Sequence, residues 1–156
     1  MTQIDPADKK ILNTIQTNFP TVSRPYKVLA QSPELSELNL SEDELIERIS
    51  RLKEDGLIRR IGGNFSPDKL GYHSTLCAAK VPEDKIELFK KTVNAYPGVT
   101  HNYMRDHSFN VWFTFIAPSV EIIEANLEQI RTDTGVEMVL NLPATRVFKI
   151  SANFKL

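Results

Sequence analysis

The chain has 156 residues and a mass of 17.7 kDa, enough for one medium domain or two very small ones. Its 41% hydrophobic and 25% charged residues exclude a disordered or fibrous protein. With 19 basic and 20 acidic residues, the chain lacks the excess of basic residues that nucleic-acid-binding proteins usually carry. A single cysteine, Cys77, excludes an internal disulfide and a multi-cysteine metal site, and we expect it to be buried and inert. No apolar run approaches the roughly 18 residues of a membrane span, and the first residues resemble no signal peptide, so we expect a cytoplasmic protein without a membrane partner.

The first 31 residues predict two short helices. Asp5 is a good N-cap, and Pro6 fits the first helical position because its missing N–H is not needed there. Apolar residues then recur at helical spacing as far as Pro20. A weaker pattern predicts a second helix from about Arg24 to Gln31.

The third predicted helix has the clearest local signal in the sequence. Ser41 and Glu44 form a capping box, and Leu40 and Leu45 occupy the positions of a hydrophobic staple. Gly56 is a suitable left-handed stop for this helix.

The segment after this helix predicts a hairpin, with a strand over residues 57–61, a tight turn over 62–64 and a return strand at Phe65. Three short helices followed by a two-stranded hairpin are typical of a winged helix-turn-helix domain. We therefore predict such a domain over residues 1–66.

The pattern changes after residue 66 and predicts the order β-α-β-β-α-β, which is the ferredoxin-like plan. The predicted elements are a strand over 74–81, a helix opened by Pro82, strands over 99–106 and 109–117, a helix capped by Ser119, and extended stretches over 136–142 and 146–152. The fold class is thus α+β, with a second domain over residues 67–156.

The charge of the third helix argues against sequence-specific DNA binding. In a helix-turn-helix protein this helix enters the major groove with its N-terminal residues against the bases. Residues 41–55 contain six acids and three bases, and the acids come first. Part of this pattern complements the helix dipole. A segment of charge −3 would nevertheless be repelled by the phosphates that supply most of the affinity for DNA.

Polar and aromatic residues cluster on two neighbouring strands of the second domain. Alternate side chains of a strand share a face, so His101, Tyr103 and Arg105 should point together. On the next strand Asn110 and Trp112 should point away from an apolar row that meets the helices. If the strands pair in register, all five side chains lie on one face of the sheet.

This cluster has a plain alternative, a half-exposed strand face, since helices cover only one face of a ferredoxin-like sheet. As a group, however, the side chains fit a flat apolar ligand with carboxylates at its rim, which can stack on Trp112 and pair with Arg105. We expect no metal site from protein side chains alone, because the histidines lack a usual ligand spacing and no acidic pair lies nearby. A heme-type iron needs only one axial histidine, so that ligand class stays open.

The whole chain resembles the Lrp/AsnC family, in which a winged helix-turn-helix precedes a ferredoxin-like domain. Leu52–Arg60 resembles the end of that family's recognition helix and the start of its wing. More specific segments resemble its siroheme decarboxylase branch, the Ahb/Nir-type proteins of alternative heme and heme d1 biosynthesis. These segments are Arg59–Gly63, Lys69–Tyr72 with Ser74–Leu76, His101–Tyr103 with Arg105, and Asn110–Thr114.

The resemblance implies a subunit of a carboxy-lyase that converts two acetate side chains of siroheme to methyl groups, giving 12,18-didecarboxysiroheme and CO2. It implies no added cofactor, with the iron tetrapyrrole bound as substrate or product. It also implies a paralogous partner subunit, because family members work as pairs and this chain contains one copy of the two-domain unit.

The same resemblance implies roles for the polar cluster. His101 is the first choice for proton donor and His107 the second, Tyr103 relays the proton or donates a hydrogen bond, and Arg105 holds a carboxylate. Either histidine can serve as axial ligand to the tetrapyrrole iron. The implied substrate-binding residues are Asn102, Asn110 and Trp112, with Arg59 and Arg60 if the wing folds over the sheet.

Two other functions remain open at this point. One is a DNA-binding transcription regulator whose second domain senses an amino acid, although this leaves the histidine cluster unexplained. The other is a non-catalytic heme-binding partner or sensor that uses the same face of the sheet.

Overall fold

The computed structural model describes residues 4–63, 65–149 and 153–156. These residues form two compact units, one within Met1–Gly63 and Lys149–Leu156 and the other within Asn64–Phe148. Within the described ranges, no helix has the length and apolar character needed to cross a bilayer.

The first unit contains the three predicted helices, α1 (Pro6–Ile15), α2 (Pro25–Ala30) and α3 (Glu42–Glu54). The side chain of Asp5 caps α1 by accepting a hydrogen bond from the backbone N–H of Asp8 at 2.7 Å. The first helix ends at Ile15, earlier than the apolar spacing predicts. The three helices pack around a core formed by Ile11, Leu29, Ala30, Leu35, Leu45, Ile49, Leu52 and Ile58.

The capping box of α3 is confirmed. The hydroxyl of Ser41 accepts from the backbone N–H of Glu44 at 3.2 Å, and the carboxylate of Glu44 accepts from the backbone N–H of Ser41 at 2.8 Å. The Ser41 hydroxyl also donates to the Glu44 carboxylate at 2.8 Å. The pKa of Glu44 is lowered first by the bond from the backbone N–H of Ser41 and then by the bond from its hydroxyl. The start of the helix is therefore fixed by local chemistry that a sequence makes visible.

The helix-turn-helix architecture is confirmed, but the prediction of two wing strands is wrong for the described part of that segment. Residues 57–63 and 65–66 form no strand, and Asn64 of the predicted turn lies outside the described residues. The backbone N–H groups of Leu57 and Ile58 both donate to the carbonyl of Leu52 at 3.0 Å. These bonds tie the segment to the end of α3, and a two-stranded hairpin by itself is only marginally stable in water.

The second unit has the predicted ferredoxin-like order. Its elements are β1 (His73–Ala79), α4 (Ile86–Asn94), β2 (Val99–Met104), β3 (Val111–Ala117), α5 (Val120–Thr134) and β4 (Val139–Pro143). The four strands form one antiparallel sheet in the order β2-β3-β1-β4. A short 3₁₀ turn at Glu83–Lys85 precedes α4, where the sequence predicts helix directly after Pro82.

Helices α4 and α5 cover one face of this sheet. Their apolar residues pack with the inward side chains of the strands, and the large buried side chains of this core include Phe89, Val93, Phe113, Phe115, Leu127 and Ile130. Cys77 belongs to this core, so the expectation that it is buried is confirmed. Burial raises the pKa of the Cys77 thiol to about 12, and the charge of Glu124 adds to this effect. The opposite face, which we call the open face, carries the side chains considered below.

The end of the chain differs from the prediction. The last strand ends at Pro143, and residues 146–149 of the second predicted stretch form no strand, while residues 150–152 lie outside the described residues. Residues 153–156 instead contact α1. Gln16 exchanges two hydrogen bonds with the backbone of Phe154, at 2.8 and 2.9 Å.

Candidate functional site

The recognition-like helix α3 directs two of its basic side chains toward α1. The guanidinium of Arg48 donates to Asp5 at 2.8 Å and to Asp8 at 2.7 Å, and Arg51 donates to Asp8 at 2.5 Å. The Asp8 side chain is almost fully buried between them. The contact with Arg48 is the main reason that the pKa of Asp5 is lowered. Two of the three bases of α3 are thus held by carboxylates of its own unit.

Arg59 and Arg60 are exposed residues of the segment that follows α3. They belong to the first unit, whereas the other candidate residues belong to the second. Their contact with a ligand on the open face therefore stays a proposal.

The pairing of β2 with β3 brings four candidate side chains together on the open face. Tyr103 lies opposite Trp112, and His101 lies opposite Thr114. The rings of His101 and Tyr103 stack with centroids 6.0 Å apart and an interplanar angle of 27°. The Arg105 guanidinium lies over the Trp112 ring, 5.7 Å from its centroid, which is a cation–π contact.

A β-bulge at Thr100 determines which way His101 points. Val99 pairs with Phe115 and His101 pairs with Thr114, so β2 has one residue more than β3 at this point. In a regular strand, alternation over residues 99–101 would place His101 on the same side as Val99, which packs against the core. The bulge turns His101 to the open face instead, as bulges beside functional sites commonly do.

The open face continues from β3 across β1 and β4 as an aliphatic surface. One row crosses all four strands as Tyr103, Trp112, Ala78 and Leu140, and the next as His101, Thr114, Leu76 and Leu142. Three leucines of these rows are exposed, at 43% for Leu76, 37% for Leu140 and 40% for Leu142. With strands about 4.8 Å apart, each row is about 14 Å long. The face is therefore polar and aromatic on one half and aliphatic on the other.

Two candidate residues do not present their side chains for ligand contact. Asn102 pairs with the buried Phe113, and its amide donates to Asn94 of α4 at 2.9 Å, so it belongs to the helix-covered face. The Asn110 amide accepts from the backbone N–H of Val81 at 2.9 Å and donates to the Val81 carbonyl at 2.8 Å. Asn110 thus fastens the β2–β3 turn to the end of β1.

The turn between β2 and β3 is held by several further hydrogen bonds. The indole N–H of Trp112 donates to the Phe109 carbonyl at 2.7 Å, and the backbone N–H of Phe109 donates to Nδ1 of His107 at 3.1 Å. The backbone N–H of Arg105 donates to the Asn110 carbonyl at 2.8 Å. These bonds fix the turn that carries His107 and that holds Arg105 over Trp112 on the open face.

Sequence reasoning missed Thr100 and the aliphatic half of the open face. The Thr100 hydroxyl lies 3.0 Å from Nδ1 of His101, a contact that depends on the bulge and has no sequence signal of its own. The leucines could have been found by extending the alternation of β1 to β4. Among the described residues, no group of three or more His, Cys, Asp or Glu side chains could hold a metal ion.

The fold is that of an Lrp/AsnC-type protein, and the pairing of β2 with β3 groups histidine, tyrosine and tryptophan side chains on its open face. A model described as the AsnC-like ligand binding domain matches residues 69–149, and one described as the siroheme decarboxylase NirDL-like HTH domain matches residues 8–59. The siroheme decarboxylase alpha subunit of Desulfovibrio desulfuricans is 49% identical over 100% of this chain and 87% of its own length. The chain therefore belongs to the siroheme decarboxylase family.

Solved structures agree with this assignment. The siroheme decarboxylase NirDL in co-complex with an iron-uroporphyrin III analogue has a TM-score of 0.67 and 36% identity to this chain. The match covers 96% of this chain and 47% of NirDL, so this chain spans about half of that protein. The E. coli protein AsnC has a TM-score of 0.76 over 99% of this chain and 100% of its own length, but at 18% identity this is a likeness of fold only.

Proposed function

We propose that this chain is a siroheme decarboxylase subunit that binds the iron tetrapyrrole on the open face and converts two of its acetate side chains to methyl groups. The observation that carries the proposal is the pairing of Tyr103 with Trp112 and of His101 with Thr114, beside an Arg105 stacked on that tryptophan. The binding of an iron-uroporphyrin III analogue by NirDL supports the ligand class.

The open face suits both parts of such a ligand. The macrocycle is flat and apolar, and it can lie on the rings of Tyr103 and Trp112 and on the aliphatic half of the face. The carboxylates at its rim need cations, and Arg105 is already oriented by its contact with Trp112. Arg59 and Arg60 are the further cations that we propose for the rim. Asn102 and Asn110 act indirectly in this scheme, by holding β2 and the turn.

The reaction breaks the bond between the carboxyl carbon and the methylene carbon of each acetate arm. CO2 leaves, and the electron pair stays on the methylene carbon, where the attached pyrrole ring delocalises it. A proton from the His101 imidazolium then forms the new C–H bond, giving a methyl group, and water returns the proton to His101. Tyr103, stacked beside His101, orients this ring or relays the proton.

A paralogous partner subunit completes the enzyme in this proposal. The relatives include proteins named as alpha, NirD and NirG subunits, and NirDL is about twice the length of this chain. One copy of the two-domain unit is thus half of what NirDL contains. We expect turnover to require both halves.

Anaerobic incubation of siroheme with the chain, alone and with its partner subunit, tests the proposed function by mass spectrometry. The proposal predicts a shifted absorption spectrum and the loss of two CO2 per siroheme. Replacing His101 by Ala should lower turnover by about 100-fold or more. The matched control is His73→Ala, which removes an exposed histidine at the start of β1.

Three results would contradict the proposal in different ways. Binding without mass loss, even with the partner, indicates a sensor. Absence of tetrapyrrole binding together with salt-sensitive retention on DNA indicates a regulator. Unchanged turnover in His101→Ala removes that residue from the mechanism.

A further inference from the structure

The two histidines of the site differ in what their Nδ1 atoms contact. His107 Nδ1 lies 3.1 Å from the backbone nitrogen of Phe109, whereas His101 Nδ1 lies 3.0 Å from the hydroxyl oxygen of Thr100. A backbone N–H can only donate a hydrogen bond, while a hydroxyl both donates and accepts. The two imidazoles are therefore constrained differently.

His107 is held in one tautomer by this contact. Because Phe109 donates, Nδ1 of His107 must be the acceptor, and the ring hydrogen of the neutral imidazole sits on Nε2. An Nε2 that carries hydrogen can donate to a carboxylate, but it has no lone pair for an iron. Among the described residues, Nε2 of His107 has no hydrogen-bond partner, so its donor is available to a ligand.

Nδ1 of His101 can be either protonated or bare, because the hydroxyl of Thr100 can hydrogen-bond to it in both states. When Nδ1 carries hydrogen, the hydroxyl of Thr100 accepts it, and when Nδ1 is bare, the hydroxyl donates to it. The imidazole can thus give up the Nε2 hydrogen and still satisfy its Nδ1 atom. Thr100 is also the extra residue of the bulge that turns His101 to the open face.

We propose that the two histidines have separate roles, with His107 a fixed hydrogen-bond donor to a substrate carboxylate and Thr100 the positioning residue for His101, the proton donor. This inference rests on the proposed function and deepens it, since it names which imidazole supplies the proton and which binds the rim. The transferred proton leaves Nε2 of His101, and Nδ1–H stays hydrogen-bonded to Thr100 throughout.

NMR on the full chain tests the tautomers without turnover or ligand. Long-range ¹H–¹⁵N spectra of protein labelled at histidine show which ring nitrogen carries hydrogen, and three histidines give few signals to assign. We expect His107 as the Nε2–H tautomer. We expect Thr100→Val to change the tautomer populations of His101, and Thr100→Ser, which keeps the hydroxyl, to leave them as in the native chain. Hydrogen on Nδ1 of His107, or tautomer populations of His101 that stay unchanged in Thr100→Val, would overturn the proposal.

Porphyrin binding tests the role of His107. Metal-free uroporphyrin III and iron-uroporphyrin III carry the same carboxylates, so a carboxylate contact should affect both ligands alike. His107→Phe, which has no donor, should weaken the binding of both by about tenfold. His107→Gln, whose amide nitrogen replaces the Nε2 donor, should stay within about threefold of the native affinity. A loss confined to the iron form indicates an axial ligand instead and would refute this role.

Steady-state kinetics with the partner subunit test the role of Thr100. Thr100→Val should lower kcat about tenfold or more with little change in KM, and Thr100→Ser should restore most of the loss. Equal losses in both variants, or a raised KM in Thr100→Val, would show a merely structural role. If the native complex releases no CO2, the proposed function fails, while the tautomer and porphyrin measurements still decide the assignment of His107.

Discussion

At the scale of single residues, side chains that touch no ligand maintain the geometry of the site. Asn110 is the clearest example, because its amide forms two hydrogen bonds with the backbone of Val81, a residue that is only 4% exposed. The turn that carries Arg105 and His107 is thereby fastened to the end of β1. A backbone group that loses such a partner in a buried place costs free energy, since water cannot easily replace it.

Replacing Asn110 by Ala should therefore lower the free energy of unfolding by about 1–3 kcal/mol. The measurement is urea denaturation of the full chain. Asn102→Ala is the matched control, because that amide contacts another exposed side chain, Asn94, and should lose less than about 1 kcal/mol. An equal decrease in the free energy of unfolding in the two variants would show that the hydrogen bonds with Val81 stabilise the fold no more than the exposed contact does.

At the scale of elements, the α1–α3 contact is a charge network that competes with a role in DNA binding. Arg48 and Arg51 of α3 are held by Asp8 of α1 and by Asp5, the N-cap of that helix. The same bonds fasten the two helices to each other. Arginines held in these ion pairs stabilise the contact between the two helices, and they are less available to bind the phosphates of DNA.

This network predicts a pH dependence of stability. The pKa of Asp5 is lowered, chiefly by Arg48, so its contribution to stability is complete above its unfolded pKa of about 3.9 and is lost as the pH falls through the lower folded value. Asp5→Asn keeps a good N-cap but removes the charge. Thermal unfolding from pH 7 to pH 2.5 should show a smaller loss of Tm in acid for the variant than for the native chain. Parallel Tm curves would contradict this account.

How far the sequence reveals these elements depends on the range of the interactions that form them. The start of α3 could be predicted because Ser41 and Glu44 lie three residues apart. The shared face of Tyr103 and Trp112 followed from strand alternation. The bulge at Thr100, the anchoring of Asn110 to Val81 and the binding of residues 153–156 to α1 could not be predicted, because each joins segments whose pairing only the folded chain determines.

At the scale of the whole molecule, the chain distributes its charge between two surfaces. The overall formal charge of −1 hides an acidic α3 in the first unit and an open face with histidine, arginine and tryptophan in the second. The first arrangement disfavours nucleic acid, and the second fits a flat ligand with carboxylates. The central claim is therefore that the open face, not α3, is the ligand-binding surface.

NMR shift mapping with metal-free uroporphyrin III tests this claim most directly, because the ligand has the right carboxylates and no paramagnetic iron. The chain has one tryptophan, so the indole N–H of Trp112 gives one signal that reports on the centre of the open face. We predict that this signal and those of His101 and Tyr103 shift on titration, while the signals of α3 stay in place. Shifts confined to α3, with the Trp112 signal unchanged at saturation, would contradict the account.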